Sequence, residues 1–203
     1  MSPDFPKERT ATFWMNVRFP TRYLQQGYEA PVATYLSEHD LGSIEGHGAL
    51  FSKDGTEVLD ADFSIAFKRV EEQALVDIID ILEEAGAPLG CSWSYDDTPE
   101  EKKGFGTLDA LLVRFEGLNP DQHAQFEDDL GAIINEFHES HSDTAGFQGA
   151  WFTAAKATVS FHGFEYDDMV TWLEKIFRQR ALPYQWSFER TSPRFEDLPQ
   201  KEN

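Results

Sequence analysis

Apolar and polar residues alternate strictly in some stretches of this chain and follow helical spacing in others, which divides it into successive elements. Thr12 to Phe19 sets Phe13, Met15, Val17 and Phe19 against Trp14, Asn16 and Arg18, the pattern of a half-buried strand that Pro20 ends. Arg22 to His39 carries Tyr23, Leu24, Tyr28, Val32, Tyr35 and Leu36, a helical pattern in which Gly27 and Pro31 predict a kink or two short pieces. Leu41 to Phe51 reads as a Gly-rich strand, Lys53-Asp54-Gly55 as a turn, and Val58 to Phe67 as a second alternating strand. Glu71 to Ala85 returns to helical spacing through Leu75, Ile78, Ile79, Ile81 and Leu82. Glu71 and Glu72 sit in its favoured first turn, and Gly86 and Pro88 stop it. Gly90 to Tyr95 closes the unit as a strand, so the order is βαββαβ.

The same order follows a second time. Thr107 to Phe115 predicts a strand, and Asn119-Pro120 opens a long helix to His141 with Phe126, Leu130, Ile133, Ile134 and Phe137 as its buried stripe. Phe147 to Ala154 and Ala157 to Phe164 predict strands, Asp167 to Arg180 a helix, and Tyr184 to Arg190 a last strand. Two landmarks tie the halves together. Val17-Arg18-Phe19 recurs as Val113-Arg114-Phe115, and Pro88 to Trp93 recurs as Pro183 to Phe188. The predicted fold is therefore α+β: tandem duplicated βαββαβ ferredoxin-like units, each an antiparallel sheet with both helices on one face. The units span 1–98 and 107–190. The polar stretch from Asp96 ends in a linker at 99–106, and 191–203 reads as a loose tail.

Such a unit leaves one sheet face uncovered. Trp14 and Trp151 are candidates for that face, since adjacent Trp151 and Phe152 must point to opposite sides. Either the uncovered faces of the two units pack on each other, or they form a platform for a partner.

Charge narrows the choice of partner. The chain has 203 residues and a net charge of −20, from 37 acidic against 17 basic side chains. That field repels nucleic acid and anionic membranes and attracts a basic protein. Acidic clusters recur at Asp77, Asp80, Glu83 and Glu84, at Asp96 and Asp97, and at Glu127 and Asp128. Each alone reads as a solvated face; together they predict a docking surface. The single cysteine, the polar N-terminus and the lack of a long apolar run point to a cytoplasmic protein with no disulfide and no membrane span.

Catalytic signals are weak. His138 and His141 are spaced i, i+3 where a zinc helix needs i, i+4, so no metal site is expected. Gly42, Gly46 and Gly48 lack the Gly-Lys-Ser/Thr of a phosphate loop and, with Gly146 and Gly149 near the matching place, predict a bulge or a strong twist. His47, set among those glycines, is the side chain there with catalytic potential, though the simpler reading is a surface residue. Cys91 is in phase with Trp93 and Tyr95 and reads as a small core residue. No catalytic residue and no cofactor are expected.

The segment LGSIEGHGALFSKDGTEVLDADFSIAF, followed by LVDIIDILEEAGAPLGCSW, resembles small acidic ferredoxin-like immunity proteins of interbacterial toxin systems, over residues 41–94. The second half departs from that pattern, with RQRALPYQW in place of the glycine-bearing strand entry. The resemblance implies stoichiometric binding of a cognate toxin, occluding its active site, and transfers no individual residue. The alternative is a regulatory protein with tandem ferredoxin-like domains that binds a small ligand between them.

Overall fold

The structure, a computed structural model, describes residues 8–18, 21–53, 55, 58–141 and 145–192, with the side chains of 21 and 22 left aside. The expected roles of Phe19, Pro20 and Asp54, and of the tail from 193 onward, lie outside the described residues.

The chain is α+β with two antiparallel sheets. The first half runs β1 (Arg9–Met15), α1 (Thr21–Leu24), a π-helical turn (Gln25–Glu29), α2 (Ala30–Glu38), β2 (Gly42–Phe51), β3 (Val58–Phe67), α3 (Glu72–Glu84), β4 (Cys91–Tyr95) and β5 (Lys103–Phe105). Its strands lie in the order β2-β3-β1-β4-β5. The second half runs β6 (Asp109–Glu116), a short 3-10 turn (Pro120–Gln122), α4 (His123–His141), β7 (Ala145–Phe152), β8 (Lys156–Gly163), α5 (Tyr166–Gln179) and β9 (Gln185–Arg190), with strand order β7-β8-β6-β9. No helix of the described residues is long and apolar enough to cross a membrane.

Alternation explains the two cores. In the first half, inward residues Ala11, Phe13 and Met15 of β1 join Val32 and Leu36 of α2 and Leu75, Ile78 and Leu82 of α3 in one buried cluster. In the second, Leu111, Val113 and Phe115 meet Phe126, Ile133 and Phe137 of α4 and Leu173 and Phe177 of α5. The opposite face of the second sheet is covered too. Ala110, Leu112, Thr158, Ser160 and His162 are all buried, yet stand outside that helix-side core. That face of the second sheet, expected to be open, is thus covered in part, and His162 there meets Gly86 and Tyr28 of the first half.

Three expectations are revised. First, β1 ends at Met15, because its ladders with β3 and β4 end near there and the Asn16 N–H turns to Cys91 Sγ (3.3 Å). Val17 is buried beyond the strand end, whereas Val113 sits in the middle of β6. Phe13 pairs with Trp93 as Val113 pairs with Phe188, so Phe13, and not Val17, occupies the place of Val113. Second, the linker stretch carries β5, which pairs with β4 and buries Phe105 in the first core. Third, the tail is anchored at its start. Thr191 N–H donates to Ala110 O (3.0 Å), and the buried Ser192 hydroxyl donates to Asp109 Oδ1 (2.9 Å).

The halves are joined at a backbone clamp between residues 86–89 and 106–108. Leu89 N–H donates to Leu108 O (2.8 Å) and Thr107 N–H to Ala87 O (3.2 Å). The Gly86 carbonyl accepts from His162 Nδ1 (2.9 Å) and from the Tyr28 hydroxyl (3.1 Å), all three groups being buried. Gly106 has φ +99°, and a Cβ there would stand 2.0 Å from Pro88 O. That oxygen is backbone and cannot move aside without breaking the clamp. Gly106→Ala is expected to destabilise the protein by roughly 2–4 kcal/mol in urea unfolding; an unchanged midpoint would contradict this.

Burial pushes the His162 imidazole from its ordinary 6.5 down to about 4, so it is neutral in the fold. The unfolded chain takes up the proton first, so the stability due to neutral His162 is full above about pH 6.5 and is lost as pH falls towards 4. The loss is about 3 kcal/mol. His162→Gln keeps a donor without a titrating ring. Difference titration of urea midpoints against this variant should reveal that contribution, and parallel pH curves would refute it.

Candidate functional site

A cleft of about 610 Å³, open to solvent, lies in the first half between the helical layer and edge strand β2. Two local departures from regular backbone build it. Pro31 has no N–H and its ring crowds the carbonyl four residues earlier. The preceding turn is wide, and the Ala30 N–H reaches back to Gln25 O in an i→i+5 bond. Leu24, Tyr28, Val32 and Leu36 keep the buried stripe, and the wide turn buries Glu29 beside Tyr28.

The second departure is a β-bulge. Ile44 pairs with Ile65 and Gly46 with Ser64, so Glu45 is the extra residue. Ile44 and His47, three apart, therefore oppose Ile65 and Phe63, both core residues. Without the bulge, alternation would send His47 to the other face. β7 carries the same device: Phe147 pairs with Phe161, Gly149 with Ser160 and Ala150 with Val159. The expected bulge at the glycines is present in both halves. Ala150 holds the place of His47 and is buried.

Glu29 is only 6% exposed and lines the cleft. Its Oε2 is 3.8 Å from His47 Nδ1, beyond hydrogen-bonding distance, and its buried Oε1 has no hydrogen-bond partner among the described residues. Burial raises the carboxyl above its ordinary value, and His47 pulls it partly back. The Gln25 amide lies 3.0 Å from His47 Nε2. The same amide nitrogen is 3.3 Å from His47 Nδ1, so it donates to whichever ring nitrogen carries no proton. Glu45 stands exposed in the cleft lining, which holds no Lys or Arg among the described residues.

The acidic candidates are dispersed. On α3, Asp77 accepts from the Tyr35 hydroxyl (2.5 Å) and Gln73 Nε2 (2.8 Å), which hold its carboxyl below its usual range. Glu83 accepts from Gly106 N–H (2.8 Å), while Asp80 and Glu84 are exposed. Asp96 accepts from the Thr12 hydroxyl (2.8 Å), and Asp97 pairs with Arg9 (2.5 Å). Glu127 and Asp128 are exposed on α4. Trp14 is half-buried beneath Lys102 Nζ, 3.7 Å from the ring centre. Trp151 is half-buried against Phe51 across the halves (5.8 Å), while Phe152 packs on Phe126 in the core.

The remaining chemistry-bearing side chains have structural surroundings. Cys91 is buried and its thiol pushed up to about 12 by desolvation. His141 stacks on Phe137 (4.6 Å) and meets Trp172 edge-on (5.3 Å), with His138 exposed. Among the described residues no three His, Cys, Asp or Glu side chains gather as metal ligands. Sequence reasoning reached His47 but missed Glu29 and Gln25; the kink expected from Gly27 and Pro31 was the signal that led there.

No family model and no curated protein matches the chain. Among solved structures it is similar to an unknown protein from Galdieria sulphuraria, at 10% identity and TM-score 0.32, over 91% of this chain and 99% of that one. It is also similar to a heme-binding protein from Thermus thermophilus, at 11% identity and TM-score 0.30, over 90% of each chain. A third is the regulatory subunit of aspartate kinase from Thermus flavus, at 13% identity and TM-score 0.28, over 84% of this chain and 94% of that one.

Because Glu29 lacks a full complement of partners and burial raises its pKa, its ionisation opposes folding. The destabilisation is absent below the ordinary carboxyl range and develops as pH rises through the raised value. Glu29→Gln is expected to stabilise the protein by roughly 1–2 kcal/mol at neutral pH and much less at pH 4, read from thermal unfolding. A lowered melting temperature at neutral pH would contradict this.

Proposed function

We propose that the chain is a non-catalytic, cytoplasmic binding protein of two tandem ferredoxin-like units that captures a basic protein. The most specific form of this reading is an immunity protein that occludes the active site of a cognate toxin. The observation that carries it is the net charge of −20, of which Asp80, Glu84, Glu127 and Asp128 are exposed and make no ion pair with a described residue. Carboxylates held in this way speed the encounter with a cationic surface. The shared βαββαβ element order and the matching bulges of β2 and β7 support the tandem description.

A second reading, small-ligand binding, draws support from the open cleft at Glu29. That cleft lies within the first half, whereas fold analogy alone had suggested a ligand between the units.

Affinity capture with the full chain at low ionic strength is expected to retain one basic protein in equimolar amount and to release it in high salt. Glu127→Lys with Asp128→Lys is expected to slow association with the captured protein about tenfold. Retention of nothing, or salt-insensitive retention, would overturn the reading.

A further inference from the structure

We infer that the Glu29 cleft is a receptor for a single guanidinium or alkylammonium group, a site separate from the exposed carboxylates and independent of the capture reading. The argument begins with the orphaned oxygen. Glu29 is nine-tenths buried, and its Oε1 lacks a hydrogen-bond partner among the described residues while the side chain lines an open cavity. Buried carboxylate oxygens without donors are rare, and each calls for a partner. Here the described residues supply none, and the neighbouring Tyr28 hydroxyl donates to Gly86 O.

The lining selects the sign of the ligand. Two carboxylates, Glu29 and Glu45, line the cleft together with the His47 imidazole, which Gln25 contacts, and no described Lys or Arg lines it. An anion would meet repulsion, and a neutral polar group would leave the buried charge uncompensated. A cation with N–H donors, approaching the carboxylate from the cleft, neutralises the buried charge. Ile44, Ala30 and Ala33 line the same cleft, and these apolar side chains suit an alkyl stem.

The comparison between halves shows that folding does not require this chemistry. The backbone device that aims His47 recurs in β7, where it aims the buried Ala150 into the core. The second half closes that position with an apolar side chain, whereas the first keeps an opening with a charge at its base. The π-helical turn, which places Glu29, has no counterpart in α4, where the helix is regular from His123 to His141.

The group has two sources, a free small amine or guanidine and a side chain of a bound protein, and both present the same cationic nitrogen. The test is calorimetric titration of the full chain with n-butylguanidinium, n-butylammonium and n-butylurea, the last a neutral analogue of the first. Both cations are expected to bind at least tenfold more tightly than the urea. Glu29→Gln is expected to abolish that preference, Glu45→Gln to weaken it two- to threefold, and Asp128→Asn to leave it unchanged. An arginine-containing peptide titrated in parallel separates the sources. Binding of the peptide at least as tight as that of butylguanidinium identifies a protein side chain, and weaker binding a small molecule. Equal affinity for butylguanidinium and butylurea in the unsubstituted protein, or undiminished preference in a folded Glu29→Gln, would overturn the inference.

Discussion

One buried carbonyl organises the molecule. Gly86, at the end of α3, receives a hydrogen bond from Tyr28 of the first half and another from His162 of the second. A carbonyl has two lone pairs, so both are filled by side chains that come from opposite sides of the junction. The backbone must turn sharply to present this oxygen. Gly86 adopts φ +93°, and a Cβ there would lie 2.9 Å from the Gln148 amide nitrogen. The backbone angle is what requires the glycine, since the end of the Gln148 side chain can move aside. His162 stays neutral because the same packing excludes water, which binds the relation between the halves to the protonation of one ring.

The junction also explains why the cleft lies where it does. Tyr28 is held at Gly86, and Glu29 follows it in the π-helical turn, so fixing the one constrains the other. The wide turn and the bulge of β2 face each other across the opening, one delivering a carboxyl and the other an imidazole. Neither side chain contributes to the apolar core. The second half, with the same bulge and a regular helix, fills the matching place with Ala150, a member of the second core. The bulges of β2 and β7 are alike, and the side chains they position differ.

Much of this architecture is legible in the residues, for identifiable reasons. β3 is found at Val58–Phe67, as its alternation predicts, because it lies between two neighbours and Ala61, Phe63, Ile65 and Phe67 are buried in turn. β5 was hidden because Lys103-Gly104-Phe105 is too short to alternate, and only Phe105 reveals its burial. The recurrence of Val-Arg-Phe was misleading, since a three-residue match ignores where the ladder ends. The acidic residues of α3 illustrate a different limit. Helical spacing set Asp77 and Glu83 with Asp80 and Glu84, but Tyr35 and Gly106 approach from other elements and engage the first two. Glu29 was invisible for a related reason: a period of 3.6 residues gives no warning of a turn closed at i→i+5.

The account rests on a carboxylate that the described residues leave one donor short. Side-chain carboxyl chemical shifts of Glu29, followed by nuclear magnetic resonance through a pH titration with and without n-butylguanidinium, test this most directly. The free protein should show Glu29 titrating above the ordinary glutamate range, and the cation should bring that titration down. A Glu29 that titrates in the ordinary range and is unmoved by the cation would contradict the account.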